Sequence, residues 1–226
     1  MGIPVLILGE SGSGKTYSIK NMDPETTGIL MVEKGRLPFR KPFPKTRTNA
    51  GYNVIMATLK AHNMSRYVID DSQYLLVNEF FDRAREAGYG KFTDLALNFR
   101  NLIHFVIRGT PDNCIVYFLH HVETDANGRL KAKTIGKLLD EKLTVEGLFD
   151  IVLRTQIENG EHFFITQSDG SDTVKSPEEM FDRKIPNDLN EVDRAIREYY
   201  GLDDAPTPAE PAGYKTEVVM SDRIGG

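Results

Sequence analysis

Ile3-Pro4-Val5-Leu6-Ile7-Leu8 runs directly into Gly9-Glu10-Ser11-Gly12-Ser13-Gly14-Lys15-Thr16, and Tyr17-Ser18-Ile19-Lys20 follows. The first six residues form a wholly apolar run of strand length. The next eight fit the spacing G-x-x-x-x-G-K-[ST], and the last four read as the start of a helix. Strand, glycine loop, helix is the setting in which this spacing cradles phosphate. Glycines let successive backbone N–H groups turn toward one point, which makes a concave anion site. Lys15 has the reach for β- and γ-phosphate oxygens, and the Thr16 hydroxyl can hold Mg²⁺. Gly9, Glu10, Ser11, Gly12, Ser13, Gly14, Lys15, Thr16 and Tyr17 are therefore the candidate cofactor-binding residues.

Outward from this loop the chain alternates apolar strands with helices. Gly28–Val32 is a second strand, with Glu33 at its end. Residues 34–47 carry six lysines and arginines, no acids and three prolines, and read as an extended basic loop. The pattern predicts a helix over 54–64 and a third strand over 66–71, ending in Asp70-Asp71. Helical spacing follows over 74–87 and 92–108. Cys114–Leu119 is a fourth buried strand, ending at His120-His121. Residues 122–143 are polar, with a turn at 125–129. Residues 149–157 and 161–167 alternate like paired strands around a Glu158-Asn159-Gly160 turn. A helix over 189–200 closes an α/β domain spanning 1–201. Residues 202–226 read as an acidic, proline-containing, disordered tail. Alternating strands and helices predict a mostly parallel sheet covered on both faces, with a late antiparallel hairpin.

Hydrolysis needs more than a phosphate cradle. It needs a metal ligand and a positioned water. Tyr67-Val68-Ile69-Asp70 has the form of the acid-ended strand that supplies the ligand, which makes Thr16 and Asp70 the candidate Mg²⁺ residues. Two carboxylates compete as the base, Glu33 and Asp71. Glu33 is preferred, because the base must face the γ-phosphate. His120 is the candidate γ-phosphate sensor, and alternation turns His121 to the opposite face. His62, His104 and His162 carry no spacing signal and read as structural.

Composition narrows the class. Of 226 residues, 28 are Lys or Arg and 33 are Asp or Glu, a net charge of −5, so any nucleic-acid site must be a local basic patch. The single cysteine, Cys114, excludes an internal disulfide and zinc spacing. No apolar run reaches membrane-spanning length. A cytoplasmic protein is expected. A guanine-nucleotide switch is disfavoured, because no N-K-x-D base-reading motif is present.

The stretches GESGSGKT, VIDDSQY, FLHHVETD, KTIGKLLDEKLTVEGLFDIVLR and TQSDGSDTVKSP together resemble the bacteriophage P-loop ATPases of the AAA/RecA-like type. Part of that group is similar to minimal RecA-like single-strand-annealing and recombination proteins. The resemblance covers roughly Ile3 to Tyr200. It implies a RecA-like core, ATP with Mg²⁺, and work on DNA, single-stranded by expectation, in phage recombination, replication or repair inside a bacterial host. It also implies the roles given above for Lys15, Thr16, Asp70, Glu33 and His120.

With a first strand at Ile3, no N-terminal oligomerisation domain is expected. Rings or short homo-oligomers, and phage or host recombination proteins as partners, remain compatible. The implied DNA path runs along the loop after the fourth strand, with Arg129, Lys131, Lys133 and Lys137. Arg83, Arg85, Tyr89, Lys91 and Phe92, and the loop 34–47 with Phe39 and Phe43, are further cation–aromatic candidates. Arg154 and Lys175 are candidates for a cation donated to a neighbouring subunit's site. The rival readings are a P-loop nucleotide or small-molecule kinase and a non-hydrolysing, nucleotide-dependent assembly factor.

Overall fold

A computed structural model describes residues 1–88, 90–135 and 144–204. Nine strands form one mixed sheet among them: β1 (Ile3–Gly9), β2 (Thr27–Met31), β3 (Thr46–Arg47), β4 (Arg66–Asp70), β5 (Ile115–Thr124), β6 (Leu130–Ala132), β7 (Ile151–Glu158), β8 (Glu161–Ile165) and β9 (Lys184–Pro186). Their order is β3-β2-β4-β5-β1-β7-β8-β9, and β6 pairs with the far end of β5. Pairing is parallel from β3 through β7 and antiparallel from β7 to β9 and between β5 and β6. The expected α/β class, mostly parallel sheet and late hairpin are present. The hairpin turn is Asn159-Gly160, both at positive φ (53° and 81°), the conformation a tight two-residue turn demands.

The helices α1 (Tyr52–Lys60), α2 (Tyr74–Asp82) and α3 (Gly90–Gly109) cover one face, where Leu6, Leu8, Phe118 and Phe99 pack. The 3-10 helix Thr16–Asn21 and α4 (Leu189–Tyr200) cover the other, through Ile7, Tyr117, Ile19 and Ile196. Strands β1, β4 and β5 run parallel in the middle of the sheet. Their carboxyl ends therefore bring Gly9, Asp70 and His120-His121 to one edge.

Several elements differ from the sequence expectation. The helix after the glycine loop ends at Asn21, before the break expected at Asp23-Pro24, but it is a six-residue 3-10 helix. Helix α1 stops at Lys60, because His62 takes a left-handed φ of 44°. The polar stretch after His121 continues β5 to Thr124 and returns as β6, a hairpin that periodicity did not show. Past Gly201, Leu202 packs on the core and Asp204 pairs with Arg66, so the first residues assigned to the tail join the domain. Residues 205–226 lie outside the described set.

Candidate functional site

The glycine loop is held from three sides. Thr155 of β7 donates through Oγ1 to Ser13 Oγ (2.6 Å), which donates to Glu10 O (2.7 Å). The His162 ring on β8 donates from Nδ1 to Ser13 O (2.9 Å), and Asn187 Nδ2 donates to Gly14 O (3.0 Å). Gly12 and Gly14 sit at φ of 76° and 100°, where L side chains are strained. A Cβ on Gly9 would collide with Thr155 Oγ1 and Ser13 Oγ. The loop is thus a fixed cradle, and β7, β8 and the segment before α4 are its outer wall.

Within it, Lys15 Nζ donates to Gly9 O (2.9 Å) and Glu10 O (2.8 Å). An ammonium has a third N–H, which leaves a donor for a phosphate oxygen. Burial lowers the Lys15 pKa to about 8, against the opposing pull of Asp71 and Asp70. Thr16 Oγ1 donates to Asp70 Oδ1 (2.9 Å). Asp70 is 2% exposed, and burial, helped by the Asp71 charge, pushes its carboxyl up to about 6. The pair expected from the sequence, Thr16 and Asp70, is therefore in direct contact.

A cavity of about 610 Å³ opens over the loop. Ser11, Gly12, Gly14, Lys15 and Thr16 form its floor, and Tyr17 and Pro38 one end. Asp71, Gln73 and Tyr74 enter from the start of α2, and His121 and Lys133 from the β5–β6 hairpin. Asp71 holds a left-handed φ of 61°, which aspartate tolerates better than most residues, and His121 Nε2 lies 3.3 Å from its Oδ1.

Two site assignments, Glu33 and His120, fall elsewhere. Glu33 is exposed and accepts from Asn78 Nδ2 on α2 (2.8 Å), apart from the residues that line the cavity. His120 is fully buried against Phe99, with Nε2 donating to Lys133 O (2.8 Å) and Nδ1 accepting from Ser72 Oγ (2.9 Å). Burial depresses its pKa to about 4, so the ring is neutral at physiological pH. The cavity histidine is His121. The alternation rule was right, but the faces were assigned the wrong way round. Asp70 shares a face with Val68, and the β4–β5 register carries that face to Leu119 and on to His121. Only the register reveals this.

The cations sort differently too. Arg154 Nε is committed to the buried Asp172 (2.7 Å), and its guanidinium also donates to Gln156. Lys175 is exposed, and its backbone bridges to Val152. Arg129 Nε donates to Asp172 O (2.8 Å), and Lys131 pairs with Glu123 (3.2 Å). Lys133 lines the cavity, and Lys137 lies outside the described residues, as does Tyr89. Arg83 is held by Glu79, Glu86 and Asp94. The basic loop folds back on the site: Lys41 Nζ donates to Met22 O (2.6 Å), and Phe39 packs edge-on to Tyr17 and Phe43.

A scan of the chain against protein-family models gave no match, and a search of curated proteins gave none either.

Proposed function

We propose that the protein binds ATP with Mg²⁺ and hydrolyses it, with Asp71 as the base that takes the proton of the attacking water. The observation that carries this reading is the contact of Thr16 with Asp70, beneath a cavity into which Lys15 and Asp71 both open. Thr16 and Asp70 offer two oxygens. Among the described residues, no group of three or more His, Cys, Asp or Glu side chains gathers as a metal site. So sparse a donor set fits Mg²⁺, which keeps waters and binds phosphate oxygens, better than a resident metal. When bound, the ion neutralises charge on the β- and γ-phosphates.

The chain's own groups do the rest. Lys15 and the loop N–H groups position the phosphates, and His121 orients Asp71. Glu33, the other candidate base, is disfavoured because it is bonded to Asn78 and lies apart from the cavity lining. A RecA-like core is the finer fold reading. It is supported by β5 lying between β1 and β4, so that the end of β5 opens on the space between the glycine loop and the acid pair. The resemblance adds action on single-stranded DNA in phage recombination, replication or repair.

Hydrolysis measured with and without single-stranded DNA, for wild type and Lys15→Ala, tests the proposal. Mg²⁺-dependent turnover that DNA raises, and that Lys15→Ala lowers by about 100-fold or more, is expected. Wild type that binds no nucleotide would overturn it. Phosphate transfer to a nucleoside monophosphate would favour a kinase, and tight binding without turnover an assembly factor.

A further inference from the structure

We infer that Lys133 is a second triphosphate-binding cation, supplied by the same chain, and that His120 is the positioning residue that holds it. The inference rests on the phosphate-binding reading of the cavity. Three observations lead to it. First, the helix behind the glycine loop is a 3-10 helix of six residues, which gives little macrodipole, so anion affinity must come from side chains and loop N–H groups. Second, Lys133 lines the same cavity as Lys15, among residues that include Asp71 and His121.

Third, the backbone of Lys133 is clamped. Its N–H donates to His121 O (2.9 Å), and its carbonyl accepts from His120 Nε2 (2.8 Å). The β5–β6 pairing of Val122 with Ala132 sets His121 opposite Lys133, and paired residues share a face. The residue before it is pinned as well, by the buried Glu146, whose Oε1 accepts from Ala132 N (2.7 Å) and Thr173 Oγ1 (2.9 Å). A lysine on a free loop loses much entropy on binding an anion. One on a backbone held at both ends loses less.

His120 also ties this hairpin to the acid pair. Its Nδ1 accepts a hydrogen bond from the Ser72 hydroxyl, and Ser72 follows Asp71 in the chain. One buried, neutral imidazole thus links the backbone of the cavity cation to the segment that carries the cavity carboxylate.

Fluorescent ATP and ADP analogues, titrated with Mg²⁺ against the full chain, separate the outcomes. Lys133→Ala should weaken the triphosphate by about tenfold or more, the worth of one charge-assisted hydrogen bond, and leave the diphosphate within about twofold. Lys133→Arg should recover part of the loss. His120→Phe should reduce the same ATP-to-ADP ratio, and His120→Gln, which can still donate to the Lys133 carbonyl, should retain more of it. Unchanged ATP-to-ADP selectivity in Lys133→Ala, with Lys15→Ala impaired, would overturn the inference and leave the site reading standing. Wild type that binds neither analogue would overturn both.

Discussion

Asp70 sets folding against the proposed metal-binding role in a single side chain. Its carboxyl is buried beside Asp71, and its pKa rises from 3.8 to about 6. The protonated form is therefore the one the fold favours. That contribution is complete below about pH 4, is lost as pH rises through 6, and leaves ionised Asp70 a destabilising group at neutral pH. Asp70→Asn keeps an oxygen for Thr16 and removes the charge. It should stabilise the protein by about 1–3 kcal/mol at pH 7, a rise of a few degrees in Tm by calorimetry, while Mg²⁺-dependent turnover is lost. The proposed metal role needs the ionised form, so Mg²⁺-dependent nucleotide binding should fall below about pH 6. It should also fall above about pH 8, as Lys15 loses its proton; a binding profile flat from pH 5 to 9 would contradict both assignments. For the base, Asp71→Asn should cut turnover by about 100-fold or more with ATP binding kept, and Glu33→Gln should stay within about threefold. The reverse ranking would return the role to Glu33.

Elements hold the site by contacts far from it in sequence. Helix α4 is anchored through Asp193, 3% exposed, which accepts from Arg66 (2.8 Å), Arg197 (2.7 Å) and the Tyr117 hydroxyl (2.9 Å). Three elements, α4, β4 and β5, meet on that carboxylate. Asp193→Ala leaves two buried guanidiniums without it and should cost about 3–5 kcal/mol, read as a lower denaturant midpoint with an unchanged m-value. The β7–β8 hairpin acts on the glycine loop itself. Thr155→Val removes the donor to Ser13, and should weaken nucleotide binding with a smaller loss of stability than Asp193→Ala. The β5–β6 hairpin shows why periodicity was silent there. Its pairing is only three residues long, and Leu130-Lys131-Ala132 alternates over too short a run to mark a strand.

At the scale of the whole molecule, two apolar layers flank a central sheet, and parallel strands deliver the site residues to one edge. The net charge of −5 gives no general attraction to a polyanion, so the proposed stimulation by DNA requires a local cationic surface and should fade with salt. Of the cations first assigned to DNA, Lys133 belongs to the cavity wall and Lys131 faces Glu123. The exposed Lys34, Arg36 and Arg40 remain beside the cavity rim. Reversing Arg36 and Arg40 to glutamate should lower the DNA-stimulated rate by about fivefold or more at low salt and leave the DNA-free rate near wild type. Equal stimulation in the variant would remove this loop from the DNA path. Among the described residues, no helix is long and apolar enough to cross a membrane.

The linear chain by itself determined the glycine loop, the strand that feeds it, the Thr16–Asp70 pair and the α/β layering. Each of these is local or periodic: a fixed spacing, an apolar run, a strand ending in an acid. Tertiary structure alone decided which of two adjacent histidines faces the cavity, because that depends on the register of β5 against β4. It set Asp71 on the cavity and Glu33 apart from it, because a strand-end carboxylate can turn to either side and Glu33 is bonded to Asn78. It brought Lys133 across from a hairpin that no pattern announced, and set Thr155, His162 and Asn187 around the loop. A spacing motif is legible because neighbours in the chain are neighbours in space. The other cavity residues, among them Asp71, His121 and Lys133, lie far along the chain from the loop, and only the folded sheet makes them adjacent.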